Sequence, residues 1–152
     1  MATNLNLLPH IRPMSPDDLD EVSAIESATF PNPWPRESLQ HELADNPFCS
    51  AFVIELDGRV AGYAYVWVIY EYAHLINFAI AEDLRGLGHG ERLLVHVLRH
   101  AKASGALKIH LEVRENNEAA IRLYEKHGFE ALGRGESYYA DGTAALFMEA
   151  EL

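Results

Sequence analysis

Between residues 77 and 94 an apolar run, Asn77-Phe78-Ala79-Ile80, leads through Arg85-Gly86-Leu87-Gly88-His89-Gly90 into Glu91-Arg92-Leu93-Leu94. Glycines at alternate positions let a backbone turn tightly and keep side chains off its N–H groups. If a helix opens there, its first turn adds unpaired N–H donors and roughly half a positive charge. Such a loop can hold a phosphate or pyrophosphate. A dinucleotide fingerprint fails, because the glycine it needs three residues after Gly88 is Glu91. A nucleotide P-loop fails as well, since Gly90 is followed by Glu91-Arg92 where Lys-Ser/Thr is required. What remains is Arg85-x-x-Gly88-x-Gly90.

Two other groups have reactive side chains. His96 and His100 stand four apart, a metal-capable spacing, but no third ligand accompanies them and the pair is expected on the helix's polar face with Arg99; no metal is expected. Cys49 is the only cysteine and lies in an apolar stretch, so it reads as packing, with no intrachain disulfide.

The elements that must carry the loop follow from periodicity. His10 to Met14 reads as a first strand. Ser15 reads as an N-cap with Pro16 at the first helical position, and the helix runs to about Phe30 with Leu19, Val22 and Ile25 inward. Phe30-Pro31-Asn32-Pro33-Trp34-Pro35 is a stiff aromatic loop, because its prolines lack donors and push their predecessors extended. A second helix covers Arg36 to Asp45. Phe48 to Glu55 and Arg59 to Tyr70 read as a hairpin about Asp57-Gly58, and Leu75 to Ile80 as the next strand. After the loop, Leu93, Leu94, Val97, Leu98 and Ala101 form one helical stripe, which Gly105 ends. Residues 107 to 113 alternate, with 107, 109, 111 and 113 on one face. Asn116 or Asn117 caps a last helix ended by Gly128, and Phe129 to Tyr139 pairs with Thr143 to Glu151 around Asp141-Gly142. This is an α/β chain, a mixed α+β sheet with helices on its faces.

The 152 residues suit one domain spanning 1–152. No apolar run approaches the ~18 residues of a membrane span, and the N-terminus lacks a signal peptide's basic start and apolar core. A cytoplasmic location is expected. The formal charge of −11 argues against nucleic acid as direct ligand and favours a basic partner.

The Arg85-x-x-Gly88-x-Gly90 loop resembles the acyl-CoA loop of the GNAT N-acetyltransferases. Asn117-x-x-Ala120-x-x-Leu123-Tyr124-x-x-x-Gly128-Phe129 resembles the closing motif of the same family. The strings Asn77-Phe78-Ala79-Ile80, Leu111-Glu112-Val113-Arg114, Leu123-Tyr124-Glu125 and Tyr138-Tyr139 are similar to a group within it, the ribosomal-protein-alanine N-acetyltransferases, which act on the N-terminal alanine of small-subunit ribosomal protein eighteen. The resemblance implies the GNAT acyl-CoA N-acyltransferase fold of about seven strands, with acetyl-CoA as co-substrate. It implies that the backbone of Phe78, Ala79 and Ile80 binds the pantetheine arm like an added strand. By the same resemblance Arg85, Gly86, Leu87, Gly88, His89, Gly90 and Glu91 hold the pyrophosphate and Asn117 contacts the cofactor. His89 and Glu91 depart from the family's usual small or basic residues. Glu112 matches the general base and Tyr124 the general acid. Trp34, Glu71, Tyr138 and Tyr139 are candidate substrate contacts.

The acceptor implied is the N-terminus of a basic ribosomal protein, the enzyme being a monomer or weak dimer. An α-amine has a pKa of about 8 and lysine about 10.4, so freeing lysine near pH 7 costs about 3 kcal/mol more. Glu112, ordinarily near 4.3, is expected to be raised by burial or to work through water. Open alternatives are another amine acceptor (a protein lysine, a polyamine or an aminoglycoside) and a CoA-binding module without turnover.

Overall fold

Asp57 and Gly58 have φ of 52° and 76°, the paired left-handed angles of a two-residue hairpin turn. They join β2 (Cys49–Leu56) to β3 (Arg59–Ile69). The computed structural model describes residues 8–152, so the N-terminal seven, on which the signal-peptide expectation partly rests, lie outside the described residues. The remaining elements are β1 (His10–Pro13), α1 (Leu19–Thr29), α2 (Arg36–Asp45), β4 (Tyr72–Ile80), α3 (His89–Ala103), β5 (Lys108–Arg114), α4 (Glu118–Lys126), β6 (Glu130–Gly135) and β7 (Ala145–Glu151). The strands form one seven-stranded sheet in the order β1-β2-β3-β4-β5-β7-β6. It is mixed: β1 and β2 are antiparallel, β4 and β5 parallel, and β7 antiparallel to both β5 and β6. This is the acyl-CoA N-acyltransferase architecture, with helices flanking a mixed sheet. No helix among the described residues is long and apolar enough to cross a membrane.

The chain divides into two compact units. The first runs to Tyr65 and includes Asn77–His96. Its core joins Leu19 and Val22 of α1, Leu39 of α2, Val53 and Ile54 of β2, and Leu93 and Leu94 of α3, all fully buried. Gly62 of β3 lies so close to the end of β4 that a Cβ there would sit 2.4 Å from Ile80 Cδ1 and 2.7 Å from the Ala79 carbonyl oxygen. The second unit comprises Val66–Ile76 and Val97–Leu152, with a core of Val97, Ala101, Ile109, Leu111, Phe129 and Met148.

Several expectations change. The segment after Ser15 is a 3₁₀ turn, Pro16–Asp18, and the α-helix begins at Leu19. Arg12 draws both Asp18 carboxylate oxygens to 2.8 Å, and the Ser15 N–H donates to Oδ2 at 2.8 Å, which tightens the turn. On α1 it is Glu26, at 1 % exposure, that is buried with Leu19 and Val22, while Ile25 is half-buried. The fourth strand starts at Tyr72, not Leu75, because Tyr72–His74 pairs with Lys108–His110. Leu107 lies outside β5 and is exposed; its N–H instead meets the Glu71 carbonyl at 2.7 Å. His96 does not sit on a polar face with Arg99, because its ring packs edge-on against Phe52 at 4.7 Å. The last hairpin is shorter than expected. An irregular register between Ala131 and Gly133 and a left-handed Ser137 (φ 49°) end β6 at Gly135 and place Tyr138 and Tyr139 in a loop.

Candidate active site

In the first unit, a 3₁₀ turn at Glu82–Leu84 carries β4 into the glycine loop, and α3 starts at His89. Residues 85–88 are exposed. Gly86 and Gly88 have φ of 78° and 88°, angles that a side chain would strain. Arg85 is turned back onto the strand: its Nε donates to the Ile80 carbonyl at 2.9 Å and Nη2 to Thr29 Oγ1 at 3.2 Å. Arg59 braces the approach through a two-point pair with Asp83, at 2.8 and 2.6 Å. His89 is buried under the loop with no partner for Nδ1, and burial, then the charge of Arg92, hold it below the usual imidazole range.

Phe78, Ala79 and Ile80 form the end of β4. The strand end is fixed on its β3 side, where the Ala81 N–H donates to the Ala61 carbonyl at 2.8 Å.

Trp34 is anchored by a carboxylate that sequence reasoning left unassigned. Glu26 Oε2 accepts the Trp34 backbone N–H at 2.9 Å, and Oε1 accepts Asn77 Nδ2 at 2.8 Å and the Tyr63 hydroxyl. Three donors converge on one buried carboxylate, the condition for keeping such a group inside. The Trp34 ring lies 6.3 Å from that of Tyr65. Helical spacing puts Glu26 seven residues after Leu19 and four after Val22, the one signal that could have found it.

In the second unit, Glu112 stands on the polar face of β5, with Lys108, His110 and Arg114. Its Oε2 is 2.7 Å from His74 Nε2, and the Tyr138 hydroxyl is 3.5 Å from Oε1. Burial pushes the Glu112 carboxyl up. The hydrogen bond from His74, the charges of His74 and His110, and the bond from Tyr138 outweigh it and leave the carboxyl below the usual carboxylate range. The expected rise through burial is thus reversed by neighbours that sequence did not place. His74 stacks on His110 at 4.1 Å and meets Trp67 edge-on at 5.8 Å.

Tyr138 and Tyr139 pack edge to face at 5.0 Å. Arg114 lies 4.2 Å over the Tyr139 ring and donates to Asp141 at 2.8 Å. Tyr139 is pushed up to about 12, first by burial and then by Tyr138. Tyr124, on α4, is 6 % exposed and packs on Phe129; burial and then Tyr139 raise its phenol. Asn117 caps α4, its Oδ1 accepting the Ala120 N–H at 3.2 Å. Glu71 is exposed in the turn between β3 and β4. Among the described residues no group of three or more His, Cys, Asp or Glu is arranged to hold a metal ion.

Residues 19–129 match the model of the Acetyltransferase (GNAT) family. The chain belongs to that family. As a GNAT protein it is an acetyl-CoA-dependent acetyltransferase acting on an amine. It is 39 % identical over 139 residues to a Bacillus subtilis protein provisionally named a [ribosomal protein bS18]-alanine N-acetyltransferase, covering 91 % of this chain and 92 % of the relative. It is 31 % identical over 148 residues to an N-alpha-acetyltransferase of Sulfurisphaera tokodaii, covering 89 % and 88 %. The crystal structure of the ribosomal-protein-S18-alanine N-acetyltransferase from Escherichia coli superposes with a TM-score of 0.87 at 28 % identity, covering 95 % and 94 %.

Of the sequence candidates, Glu112, Tyr138 and Tyr139 come together in one cluster, with Arg114 as a further member. His74 and His110 were missed. Alternation along β5 puts His110 beside Glu112, but only the register with β4 brings in His74.

Proposed function

We propose that this enzyme acetylates the N-terminal alanine of the bS18 ribosomal protein. The observation that carries this reading is the identity, over nine-tenths of both chains, to the Bacillus subtilis relative provisionally given that activity. The chain's formal charge of −11 supports a basic acceptor.

In this reading the loop from Arg85 to Glu91 binds the diphosphate of acetyl-CoA through backbone N–H groups, with Arg85 bracing the loop. Phe78, Ala79 and Ile80 receive the pantetheine arm, and Asn117, its Oδ1 engaged in the cap, uses Nδ2 toward the cofactor. The exposure of residues 85–88 supports the first of these assignments. The acceptor ammonium loses a proton to the Glu112 site. Its lone pair attacks the thioester carbonyl, and the C–S bond breaks as the C–N bond forms. Tyr124 protonates the departing thiolate and is reset by the second proton of the acylated nitrogen. An ordinary phenol, near 10, is already protonated at neutral pH, so the proton the role needs is in place. Trp34, Glu71, Tyr138 and Tyr139 shape the acceptor site. No acyl-enzyme forms.

Mass spectrometry of an alanine-initiated bS18 peptide, incubated with enzyme and acetyl-CoA, tests the reading. A single acetyl group on the α-nitrogen is expected. Modification that persists on a peptide blocked at its N-terminus would transfer the activity to lysine. A second reading, a broader N-alpha-acetyltransferase, draws on the Sulfurisphaera tokodaii relative; equal rates on peptides beginning with other residues would favour it.

A further inference from the structure

The segment from Phe30 to Pro35 has prolines at 31, 33 and 35, so only Phe30, Asn32 and Trp34 carry backbone N–H groups that can fasten it. Glu26 takes two of these three. Its main-chain carbonyl accepts the Phe30 N–H at 3.1 Å, where α1 ends, and its Oε2 accepts the Trp34 N–H at 2.9 Å. One residue therefore holds the stiff loop near both of its ends. The second carboxylate oxygen turns to the sheet. Oε1 accepts Asn77 Nδ2 at 2.8 Å, together with the Tyr63 hydroxyl. Asn77 in turn accepts the Phe78 N–H on its own Oδ1 at 3.1 Å. An unbroken line of hydrogen bonds thus runs from the backbone of Trp34 through Glu26 and Asn77 to the backbone of Phe78.

We infer that Glu26 is a positioning residue for acetyl transfer: through this line it sets the Trp34 loop against the strand end at Phe78. The inference deepens the proposed function and rests on its placing Trp34 at the acceptor and Phe78 at the pantetheine arm. Glu26 touches neither substrate and acts through those two residues.

The surroundings support such a role. Glu26 and Asn77 are 1 % and 8 % exposed, and a carboxylate is costly to bury even when it is well bonded. Packing beside Leu19 and Val22 would be served by an aliphatic side chain. What a carboxylate adds is a set of acceptors with fixed directions, and here their donors come from the 30–35 loop, β3 and β4. The ring of Trp34 lies tilted, 6.3 Å from that of Tyr65, whose hydroxyl donates to the Leu39 carbonyl of α2 at 3.0 Å. The Trp34 side chain is thereby placed beside β3, while its backbone is tied to β4 through Glu26.

The test is acetylation of an alanine-initiated peptide by the full chain, with both KM values, kcat and the thermal midpoint measured for the wild type, Glu26→Gln, Tyr63→Phe, Trp34→Ala and the double variant Glu26→Gln/Trp34→Ala. Glutamine has a single acceptor oxygen. Keeping Asn77 and Tyr63 on it turns the amide N–H groups toward the Trp34 N–H, donor against donor; the opposite orientation gives up two bonds to keep one. Glu26→Gln therefore releases Trp34 selectively. Tyr63→Phe removes one donor from the same carboxylate but leaves the line from Trp34 to Phe78 whole, so it reports stability alone. Glu26→Gln is expected to raise the peptide KM about tenfold and leave KM for acetyl-CoA within about twofold. Tyr63→Phe is expected to lower the thermal midpoint and leave both KM values within about twofold. Trp34→Ala should raise the peptide KM, and the double variant should be no worse than Trp34→Ala, because the two changes act through one contact. A peptide KM that Glu26→Gln or Trp34→Ala leaves unchanged, an equal rise in Glu26→Gln and Tyr63→Phe, or effects that multiply in the double variant each overturn the inference and leave the proposed acetylation standing. Should Glu26→Gln fail to fold, Asn77→Ala breaks the line at its next member and takes its place in the same cycle under the same criteria. A wild type that acetylates no peptide overturns the proposed function, and the inference with it.

Discussion

Arg85 donates its Nε–H to the carbonyl of Ile80 at 2.9 Å, closing the glycine loop onto the strand that enters it. The residue that begins the loop signature is therefore a brace. A brace acts on the loop's shape, so Arg85→Ala is expected to weaken CoA binding about tenfold, the loss of one charge-assisted bond of about 1.5 kcal/mol, with kcat at saturating cofactor near normal. Calorimetry with CoA, set beside steady-state rates, checks both halves.

Gly88 makes a sharper demand. Its φ is 88°, and a β-branched residue there has to abandon that angle. Gly88→Val should raise the Kd for CoA by at least 100-fold while the thermal midpoint falls by only a few degrees, because the loop is exposed. Equal loss of fold and of binding, read by calorimetry and circular dichroism, would show that the glycine serves folding alone.

Glu112→Gln and Tyr124→Phe are expected to lower kcat by about 10² to 10⁴ with little change in CoA affinity. Near-normal turnover in both variants would remove these two side chains from the chemistry. Stopped-flow single turnovers separate the chemical step from product release.

Glu26 anchors Trp34, Asn77 and Tyr63 from a position with 1 % exposure. Glu26→Ala strands three donors and is expected to cost about 3 kcal/mol of stability or more. Glu26→Gln keeps the shape but places an amide N–H against at least one donor, so it too should destabilise. Urea unfolding of both variants gives the comparison, and a loss below about 0.5 kcal/mol would contradict the anchoring role.

Asp18 lies below its ordinary value because of the hydrogen bond from Arg12, which outweighs burial, with a further bond from the Ser15 backbone. The unfolded chain therefore binds the proton first as pH falls. The contribution is fully present above about pH 4, the ordinary aspartate value, and is lost as pH drops through the lower folded value. Arg12→Ala should flatten the acid limb of the stability profile in that window, measured by urea midpoints at stepped pH.

Much of this molecule is legible in the amino-acid order, for a physical reason. Helix and strand periods repeat within a few residues, so the α3 stripe of Leu93, Leu94, Val97 and Ala101 and the α2 limits at Arg36 and Asp45 follow from local pattern. Glycine at left-handed angles ends α3 at Gly105 and α4 at Gly128 as expected. Long-range register is another matter. Whether residue 74 or 76 of β4 faces Glu112 depends on which rungs pair, and no local pattern carries that. The same limit hid Glu26, whose burial is tolerable only because Tyr63 and Asn77 arrive from far along the chain. It also set Tyr138 and Tyr139 in a strand, where a register irregularity and a left-handed serine make a loop.

Gly62 faces Ile80 Cδ1 and the Ala79 carbonyl at distances no methyl group tolerates. Its constraint is room, not backbone angle, so no choice of rotamer or turn type relieves it. Among descendants of this gene, codon 62 should be almost invariant even where neighbouring codons drift, and a library randomised there should return essentially one amino acid.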